Sequence, residues 1–250
     1  MAENMTEFTV KLADIPVRIR AIWPELRQFL EDYLTEEEAA FTLETRQEDI
    51  EQERIMSART RAAEGLPALR SSDAYLETLA IYRKLAEELV ERDVLLFHGS
   101  VVAVDGEAYL FAARSGTGKS THTRLWREVF GERAVMINDD KPLLRVGEEG
   151  VRAYGTPWNG KHRLGGNISA PLKALCILER DKENHVERVS PEEAFPRMLQ
   201  QCYLSEDGEK AAKTLALLER MCQCVRLYRL GCNMEREAAL VSYQGMQEEA

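Results

Sequence analysis

The sequence lacks an apolar run that approaches the roughly 20 residues needed for a membrane-spanning helix. It also lacks a basic excess, since 33 Lys and Arg residues stand against 43 Asp and Glu residues, a formal net charge of −10. Nucleic acids and anionic membranes require a basic surface, so we expect neither as a partner. The N-terminal stretch MAENMTEFTV has no basic flank before an apolar block. We therefore expect no secretory signal and a cytoplasmic protein.

Cysteine pairs and metal-ligand spacings are missing as well. The five cysteines form no CxxC pair, and the four histidines are scattered along the chain. Neither set has a zinc-like spacing. We therefore expect reduced cysteines that occupy core or surface positions.

The 250 residues, 44% of them hydrophobic, suffice for one large core or for a core with a smaller accessory layer. Residues 1–92 are predicted to form an accessory α+β region. Its branched runs at 8–12 and 17–22 indicate strands, and the apolar spacing at 24–34 and 73–92 indicates helices.

Two further stretches of this region give weaker signals. Thr35 and Glu38 have the spacing of a capping box and predict another short helix. Residues 44–70 are polar and charged, which is typical of a solvated face or of a mobile edge strand. This stretch would also suit a docking surface.

Residues 93–250 alternate strand and helix patterns, which is typical of an α/β protein. Asp105-Gly106 between two apolar runs predicts a hairpin, so the sheet is expected to be mixed. The predicted strands are 94–104, the run that ends near Ala113, 134–138, 172–178 and 226–230. The predicted helices are 121–130, one capped by Ser190 with Pro191 at its first position, 207–224, and a last one capped by Asn233.

Residues 113–120 read ARSGTGKS and match seven of the eight positions of the phosphate-binding pattern G-x-x-x-x-G-K-[ST]. Glycines let backbone N–H groups curl around an anion, and the next helix points its N-terminus at the phosphates. A lysine here neutralises the β- and γ-phosphate oxygens, and the serine hydroxyl is a natural Mg²⁺ ligand. The predicted nucleotide-binding residues are Ser115, Gly116, Thr117, Gly118, Lys119, Ser120 and Thr121.

Ala113 stands where the pattern has its first glycine. Alanine is the smallest residue after glycine and costs little where the backbone lies in ordinary L-residue space. We therefore expect the loop to tolerate it.

The candidate carboxylates are Asp139 and Asp140, which directly follow the strand 134–138, about 20 residues after Lys119. If this strand is parallel to the one before the loop, its C-terminal end lies beside the loop, where α/β proteins bind ligands. One carboxylate would bind Mg²⁺ and the other would accept a proton from an attacking hydroxyl. The sequence leaves open which of the two does which.

Four stretches together resemble the HPr kinase/phosphorylase-like family, whose nucleotide core is related to ATP-dependent phosphoenolpyruvate carboxykinase. They are His98-Gly99-Ser100, SGTGKS, Asp139-Asp140 and PLKALCILER at 171–180, and the resemblance spans roughly residues 93–240. It implies a P-loop core with a mixed sheet flanked by helices.

The same resemblance implies roles for single residues. Lys119 and Ser120 would serve nucleotide and Mg²⁺, with Ser120 and Asp140 as our metal ligands. The acidic pair would bind the metal and take part in proton transfer. His98 would orient a carboxylate of this pair or form an ion pair with it. The catalytic candidates are Asp139, Asp140, Lys119 and His98.

The segment GTPWNGKHRLGG at 155–166 departs from the family, whose own signature at this place contains glutamate and glycine. HPr is therefore not carried over as substrate, and no phosphorylase activity is inferred. Lys161 and Arg163 between glycines suggest a cationic lid that neutralises transition-state charge. The alternative is an ordinary turn-rich connection. Trp158 would pack the segment or contact substrate.

The sequence thus predicts a Mg²⁺- and ATP-dependent kinase of a hydroxyl group, with a serine of a protein or peptide as the acceptor. GTP is not excluded as the phosphate donor. The alternatives are a kinase of a small metabolite and a non-catalytic nucleotide-binding regulator. Enzymes of the resembling family form oligomers, so a homo-oligomer is an open alternative to a monomer.

Overall fold

The computed structural model describes residues 5–63, 65, 67, 70–160 and 162–247. The chain divides into two compact units, Met1–Glu88 and Leu89–Ala250. Within the described ranges, no helix combines the length and the apolar character that crossing a membrane would require.

The first unit contains a three-stranded sheet in the order β1-β2-β3, in which β1 and β2 are antiparallel and β3 is parallel to β2. Alternate side chains of the first two strands are buried, as the branched runs predicted. The elements are β1 (Thr6–Leu12), β2 (Ile15–Ala21), α1 (Glu25–Phe29), β3 (Phe41–Glu44), α2 (Gln47–Ala63) and α3 (Asp73–Leu89).

Two helix predictions in this unit need correction. The helix predicted at 24–34 ends at Phe29 and continues as a single 3₁₀ turn, Glu31–Tyr33. The short helix predicted from Thr35 and Glu38 does not form. The Thr35 amide instead donates to the Thr9 carbonyl of β1, so this segment is held along the sheet.

Residues 47–63 form the helix α2, so the alternative of an edge strand is wrong there, whereas most side chains of this helix are exposed, as a solvated face implies. This helix buries Ile50 and the carboxylate of Glu53, which accepts hydrogen bonds from Arg83 of α3. A helix that packs through an ion pair shows little apolar periodicity, and for that reason the sequence pattern did not reveal it.

Glu77 of α3 is fully buried and joins three parts of the first unit. Its carboxylate accepts hydrogen bonds from the backbone N–H groups of Ile22 and Trp23, at 2.7 and 3.0 Å, and from the Thr45 hydroxyl. It therefore links the ends of β2 and β3 to the long helix.

The second unit has a nine-stranded mixed sheet flanked by helices, which confirms the expected α/β class. The strand path is β4-β8-β9-β10-β6-β5-β7, with β12 beside β10 and β11 beside β12. Its strands are β4 (Val94–Leu96), β5 (Ser100–Val104), β6 (Glu107–Ala112), β7 (Ala134–Asn138), β8 (Leu143–Gly147), β9 (Gly150–Tyr154), β10 (Ser169–Arg180), β11 (His185–Arg188) and β12 (Arg226–Cys232). Its helices are α4 (Lys119–Phe130), α5 (Pro191–Leu199), α6 (Gly208–Cys224) and α7 (Glu237–Gln247).

Each face of this sheet carries its own apolar core. Along β10, Leu175 and Ile177 pack with α5 and α6, whereas Cys176 and Leu178 pack with α4 and α7. Three of the five cysteines are buried, and all five are free thiols. Helices therefore cover both faces and leave the strand ends as the accessible edge.

The strand predicted at 94–104 is two strands, and the hairpin β8–β9 and the strand β11 were not predicted. The break lies at Gly99, where a Cβ would come within 2.6 Å of Leu110 Cδ1 on β6. The chain changes its pairing partner there, with β4 against β8 and β5 against β6.

Two predicted helix caps have different outcomes. Ser190 caps α5 as expected, since its hydroxyl accepts from the Glu193 amide and Pro191 occupies the first helical position. Asn233 does not cap α7. Its side chain accepts from the Glu235 amide in a turn that precedes the helix.

Replacing Glu77 with alanine should destabilise the protein, because it leaves two backbone N–H groups and a hydroxyl without their buried acceptor. We expect the free energy of unfolding to fall by about 3 kcal/mol. Chemical denaturation of the full chain measures the loss, and hydrogen exchange at residues 15–45 locates it. Glu38→Ala, at an exposed position, is the control. Equal stability of the two variants would contradict the role of Glu77.

Candidate functional site

Strand direction brings the predicted site residues to one edge of the large sheet. Strands β6, β10 and β12 are parallel, and β7 runs parallel to β6 because both are antiparallel to β5 between them. The C-terminal ends of all four strands therefore meet at this edge. The 113–120 loop follows β6, and the acidic pair follows β7.

The 113–120 loop leads directly into α4, which begins at Lys119. Gly116 and Gly118 have φ values of +77° and +130°. A Cβ would meet no atom within 4 Å at either position, so the backbone conformation and not space requires glycine. The first amides of α4 lie at the loop, an arrangement that favours an anion.

Ala113 is buried and packs in the core between the sheet and α4. Ala113 is not among the described non-glycine residues with positive φ, so its backbone conformation is an ordinary one for an L-residue. This is the condition under which alanine is tolerated at this position. Its carbonyl accepts a hydrogen bond from Lys119 Nζ at 3.0 Å. The lysine thus folds back along the loop.

Lys119 is buried, with 8% of its surface exposed. Burial lowers the pKa of its ammonium group, and the charges of Asp140 and Asp139 act in the opposite direction. The Lys119 ammonium group is therefore a largely desolvated cation whose hydrogen-bond partner is a neutral carbonyl, which suits a site that receives an anion.

The turn after β7 is fixed by Asn138, which sequence reasoning missed. Its side-chain oxygen accepts from the amides of Asp140 and Lys141, at 2.8 and 2.6 Å. Its side-chain nitrogen donates to the carbonyl and hydroxyl of Thr156. An asparagine side chain commonly hydrogen-bonds to the backbone N–H two residues further along the chain. This tendency was the sequence signal that could have indicated the role of Asn138 in the turn.

The two aspartates have different surroundings. Burial raises the pKa of Asp139 and outweighs its hydrogen bonds with Ser100 and Ser120. Burial also acts to raise the pKa of Asp140, but the hydrogen bond with His98 and the charges of nearby lysines prevail and lower it. One carboxylate therefore takes up a proton more readily than the other.

His98 lies in the link between β4 and β5, where the sequence predicted one strand. Its Nε2 is 3.4 Å from Asp140 Oδ1, and its amide donates to the Gln201 carbonyl. The Gly99 amide donates to the Asp140 carbonyl, and the Ser100 hydroxyl lies 3.1 Å from Asp139 Oδ1. All three residues of the His98-Gly99-Ser100 stretch hold the acidic turn.

The 155–166 segment runs beside the acidic turn. The Gly166 amide donates to the Ile137 carbonyl, and a Cβ at Gly160 would lie 3.3 Å from Asp139 Oδ2. Arg163 is exposed at the surface with φ +48°. Lys161 lies outside the described residues. Trp158 is buried, so it packs the segment.

Arg180, at the end of β10, is a loop contact that sequence reasoning missed. Its guanidinium donates to the carbonyls of Gly116 and Thr117, at 2.5 and 3.0 Å. It ends the PLKALCILER stretch, but nothing in the local sequence indicates that an arginine reaches a loop more than 60 residues away. This contact ties the end of β10 to the loop.

Two cavities flank the loop. One of about 490 Å³ is lined by Gly116, Gly118, His122 and the ends of β10 and β12. The other, of about 460 Å³, is lined by Arg114, by the ends of β6 and β10, and by Gln200 and Gln201 after α5. The loop therefore has space on both sides at the strand-end edge.

No family model matches the chain, and no curated protein matches it. Among solved structures it is similar to the Hpr(Ser) kinase/phosphatase from Coxiella burnetii, with 9% sequence identity and a TM-score of 0.36. The match covers 61% of this chain and 88% of that chain. A likeness at this identity and TM-score concerns the fold alone.

Arg180→Ala should loosen the 113–120 loop, because two carbonyls lose a charged donor. We expect amide hydrogen exchange in this loop to become about fivefold faster, with little change elsewhere. Mass spectrometry of the full chain measures it. Arg188→Ala, an exposed arginine on β11, is the matched control. Unchanged exchange in the Arg180 variant would show that the contact does not hold the loop.

Proposed function

We propose that this chain is a Mg²⁺- and ATP-dependent kinase that transfers the γ-phosphoryl group to a hydroxyl, a serine of a protein or peptide. The proposal rests on one observation: an anion-binding loop, a buried lysine and two carboxylates whose pKa values shift in opposite directions lie together at one edge of the sheet. The roles of single residues follow from their contacts.

The loop amides and Lys119 bind the phosphates. Gly116 and Gly118 supply the backbone conformation, and the start of α4 supplies N–H donors. The Lys119 ammonium is already desolvated, so a phosphate oxygen can replace the Ala113 carbonyl as its partner without a large further loss of hydration. Ser115, Gly116 and Ser120 are exposed, which leaves the edge accessible to an acceptor as large as a polypeptide.

The donor set fits Mg²⁺, which prefers oxygen ligands and takes one or two carboxylates beside phosphates and water. The Ser120 hydroxyl hydrogen-bonds to Asp139, and Asp140 follows directly. In the part of the chain that the structure describes, no group of three His, Cys, Asp or Glu residues is placed to hold a metal alone, so nucleotide phosphates would complete the shell. When bound, the ion would neutralise charge on the β- and γ-phosphate oxygens.

We assign the proton transfer to Asp139 and metal binding to Asp140 with Ser120. A general base works best when its pKa is raised towards the working pH, and burial raises that of Asp139. Asp140 stays ionised because its pKa is lowered, and His98 fixes its orientation. Asp139 thus takes the proton of the acceptor hydroxyl while Lys119 and the loop amides stabilise the transferred group.

The test is transfer of labelled phosphate from ATP, or from GTP, to peptides, cellular proteins and free amino acids. Lys119→Ala should lower turnover about 100-fold or more. Asp139→Asn should lower kcat by about 100-fold or more with nucleotide affinity retained, because it removes only the base. Asp140→Asn should raise the Mg²⁺ concentration needed for half-maximal turnover.

The matched controls are Lys213→Ala, a half-buried lysine paired with Glu91, and Asp105→Asn in the β5–β6 turn at the other end of the strands. Both should keep wild-type turnover. Label on free amino acids alone would indicate a metabolite kinase. Lys119-dependent nucleotide binding with no transfer would indicate a regulator, and absence of nucleotide binding would refute the proposal.

A further inference from the structure

One of the two cavities beside the loop is close to the acidic pair. This cavity, of about 460 Å³, is named here the α5 cavity, because Gln200 and Gln201 after α5 form part of its wall. The Gln201 carbonyl accepts a hydrogen bond from the His98 amide at 2.7 Å, and His98 Nε2 lies 3.4 Å from Asp140 Oδ1. Two contacts therefore connect the wall of the cavity to the acidic pair.

The other cavity is lined by the ends of β10 and β12, which lie on the far side of the loop from β7 in the strand order. The acceptor hydroxyl must react beside the carboxylates that follow β7. If the proposed function holds, on which this inference rests, the α5 cavity is the better placed of the two to hold the acceptor.

The walls of the α5 cavity carry an excess of positive charge. Its described lining residues include two arginines, Arg114 and Arg197, and one carboxylate, that of Glu179. Arg197 donates a hydrogen bond to Glu179, so these two charges neutralise each other and the charge of Arg114 remains. The whole chain, in contrast, has a net charge of −10. A cationic cavity in an acidic protein suits a ligand that carries negative charge.

Arg114 and Gln200 offer polar groups that the protein itself does not use. Both residues are exposed, and within the ranges that the structure describes neither side chain makes a hydrogen bond or an ion pair. Around the other cavity, Arg180 donates to two loop carbonyls, and Asn233 donates to one carbonyl and accepts from one amide. An arginine without a protein partner can offer two parallel N–H groups to one carboxylate.

The nucleotide phosphates do not account for Arg114. In the proposed site they are bound by the loop amides of 115–121, by Lys119 and by Mg²⁺, and Arg114 precedes these amides in the chain. The acceptor is the ligand whose recognition remains. The unpaired cation of the α5 cavity is therefore suited to an anionic group on the acceptor.

We propose that the α5 cavity binds the acceptor and that Arg114 binds a carboxylate close to the acceptor's reacting hydroxyl. A volume of about 460 Å³ is within the range of small-ligand sites, so the cavity suits a chain end or a few residues and not a folded domain. The Gln200 amide can donate to, and accept from, a peptide backbone. The carboxylate is either the C-terminal group of the acceptor or an acidic side chain beside the serine.

The experiment measures equilibrium binding of short serine peptides to the full chain, with Mg²⁺ and a non-hydrolysable ATP analogue present. In one matched pair of peptides the serine is the last residue, with either a free carboxylate or a carboxamide. In the other pair an internal serine is followed by aspartate or by asparagine. In one pair the carboxylate peptide should bind about tenfold more tightly than its neutral partner, and that pair identifies the source of the carboxylate.

Arg114→Ala should abolish this difference and leave the affinity for the nucleotide analogue unchanged. In phosphate transfer to the same peptides, the variant should raise the KM for the carboxylate peptide with little change in kcat, because Arg114 holds the acceptor and does not touch the reacting atoms. The matched control is Arg188→Ala, an exposed arginine of β11 that is not among the residues lining this cavity. The control should keep the difference between the peptides.

The outcomes separate this inference from the proposed function. Equal binding within both pairs, a difference that persists in Arg114→Ala, or no binding of any peptide overturns the role of Arg114. Weaker nucleotide binding in Arg114→Ala would assign this arginine to the phosphates and would also contradict it. The proposed function survives each of these results as long as nucleotide binding and phosphate transfer depend on Lys119. Absence of nucleotide binding refutes the proposed function and this inference with it.

Discussion

The hydrogen bonds of Asn138 are the constraint on which the candidate site depends. One buried side chain binds two amides of the acidic turn and, through Thr156, the segment that returns beside it. The Thr156 hydroxyl in turn donates to the Lys141 carbonyl at 2.7 Å, which completes the hydrogen-bond network between the acidic turn and this segment. A buried network of this kind is stable only when each member is satisfied, so the position of both carboxylates depends on all of it.

The first half of the site could be predicted because its signals are local. A glycine-rich loop between a strand and a helix needs only residues 113–130, and positive φ at Gly116 and Gly118 agrees with that pattern. The hairpin at Asp105-Gly106 also follows from a short-range rule. The parallel direction of 134–138 was a condition of the sequence argument, and the structure meets it because β7 pairs antiparallel with β5. These features fix the edge at which the acidic pair lies.

The rest depends on contacts between residues far apart in the chain. Nothing near Gly99 indicates that its strand must break, because the crowding atom belongs to Leu110. Arg180 reaches a loop more than 60 residues earlier, and α2 packs through Glu53 and Arg83 without an apolar stripe. Local propensity and periodicity do not indicate contacts between residues that are far apart in the chain. For that reason the sequence does not predict these features, and only the three-dimensional structure shows them.

The central claim is that the loop and the acidic pair form one nucleotide site with a defined direction. A crystal structure of the full chain with Mg²⁺ and a non-hydrolysable ATP analogue tests it most directly. The account predicts the phosphates on the amides of 115–121 and the terminal phosphate towards Asp139 and Asp140. A nucleotide bound away from this loop, or with its terminal phosphate towards β12, would contradict it.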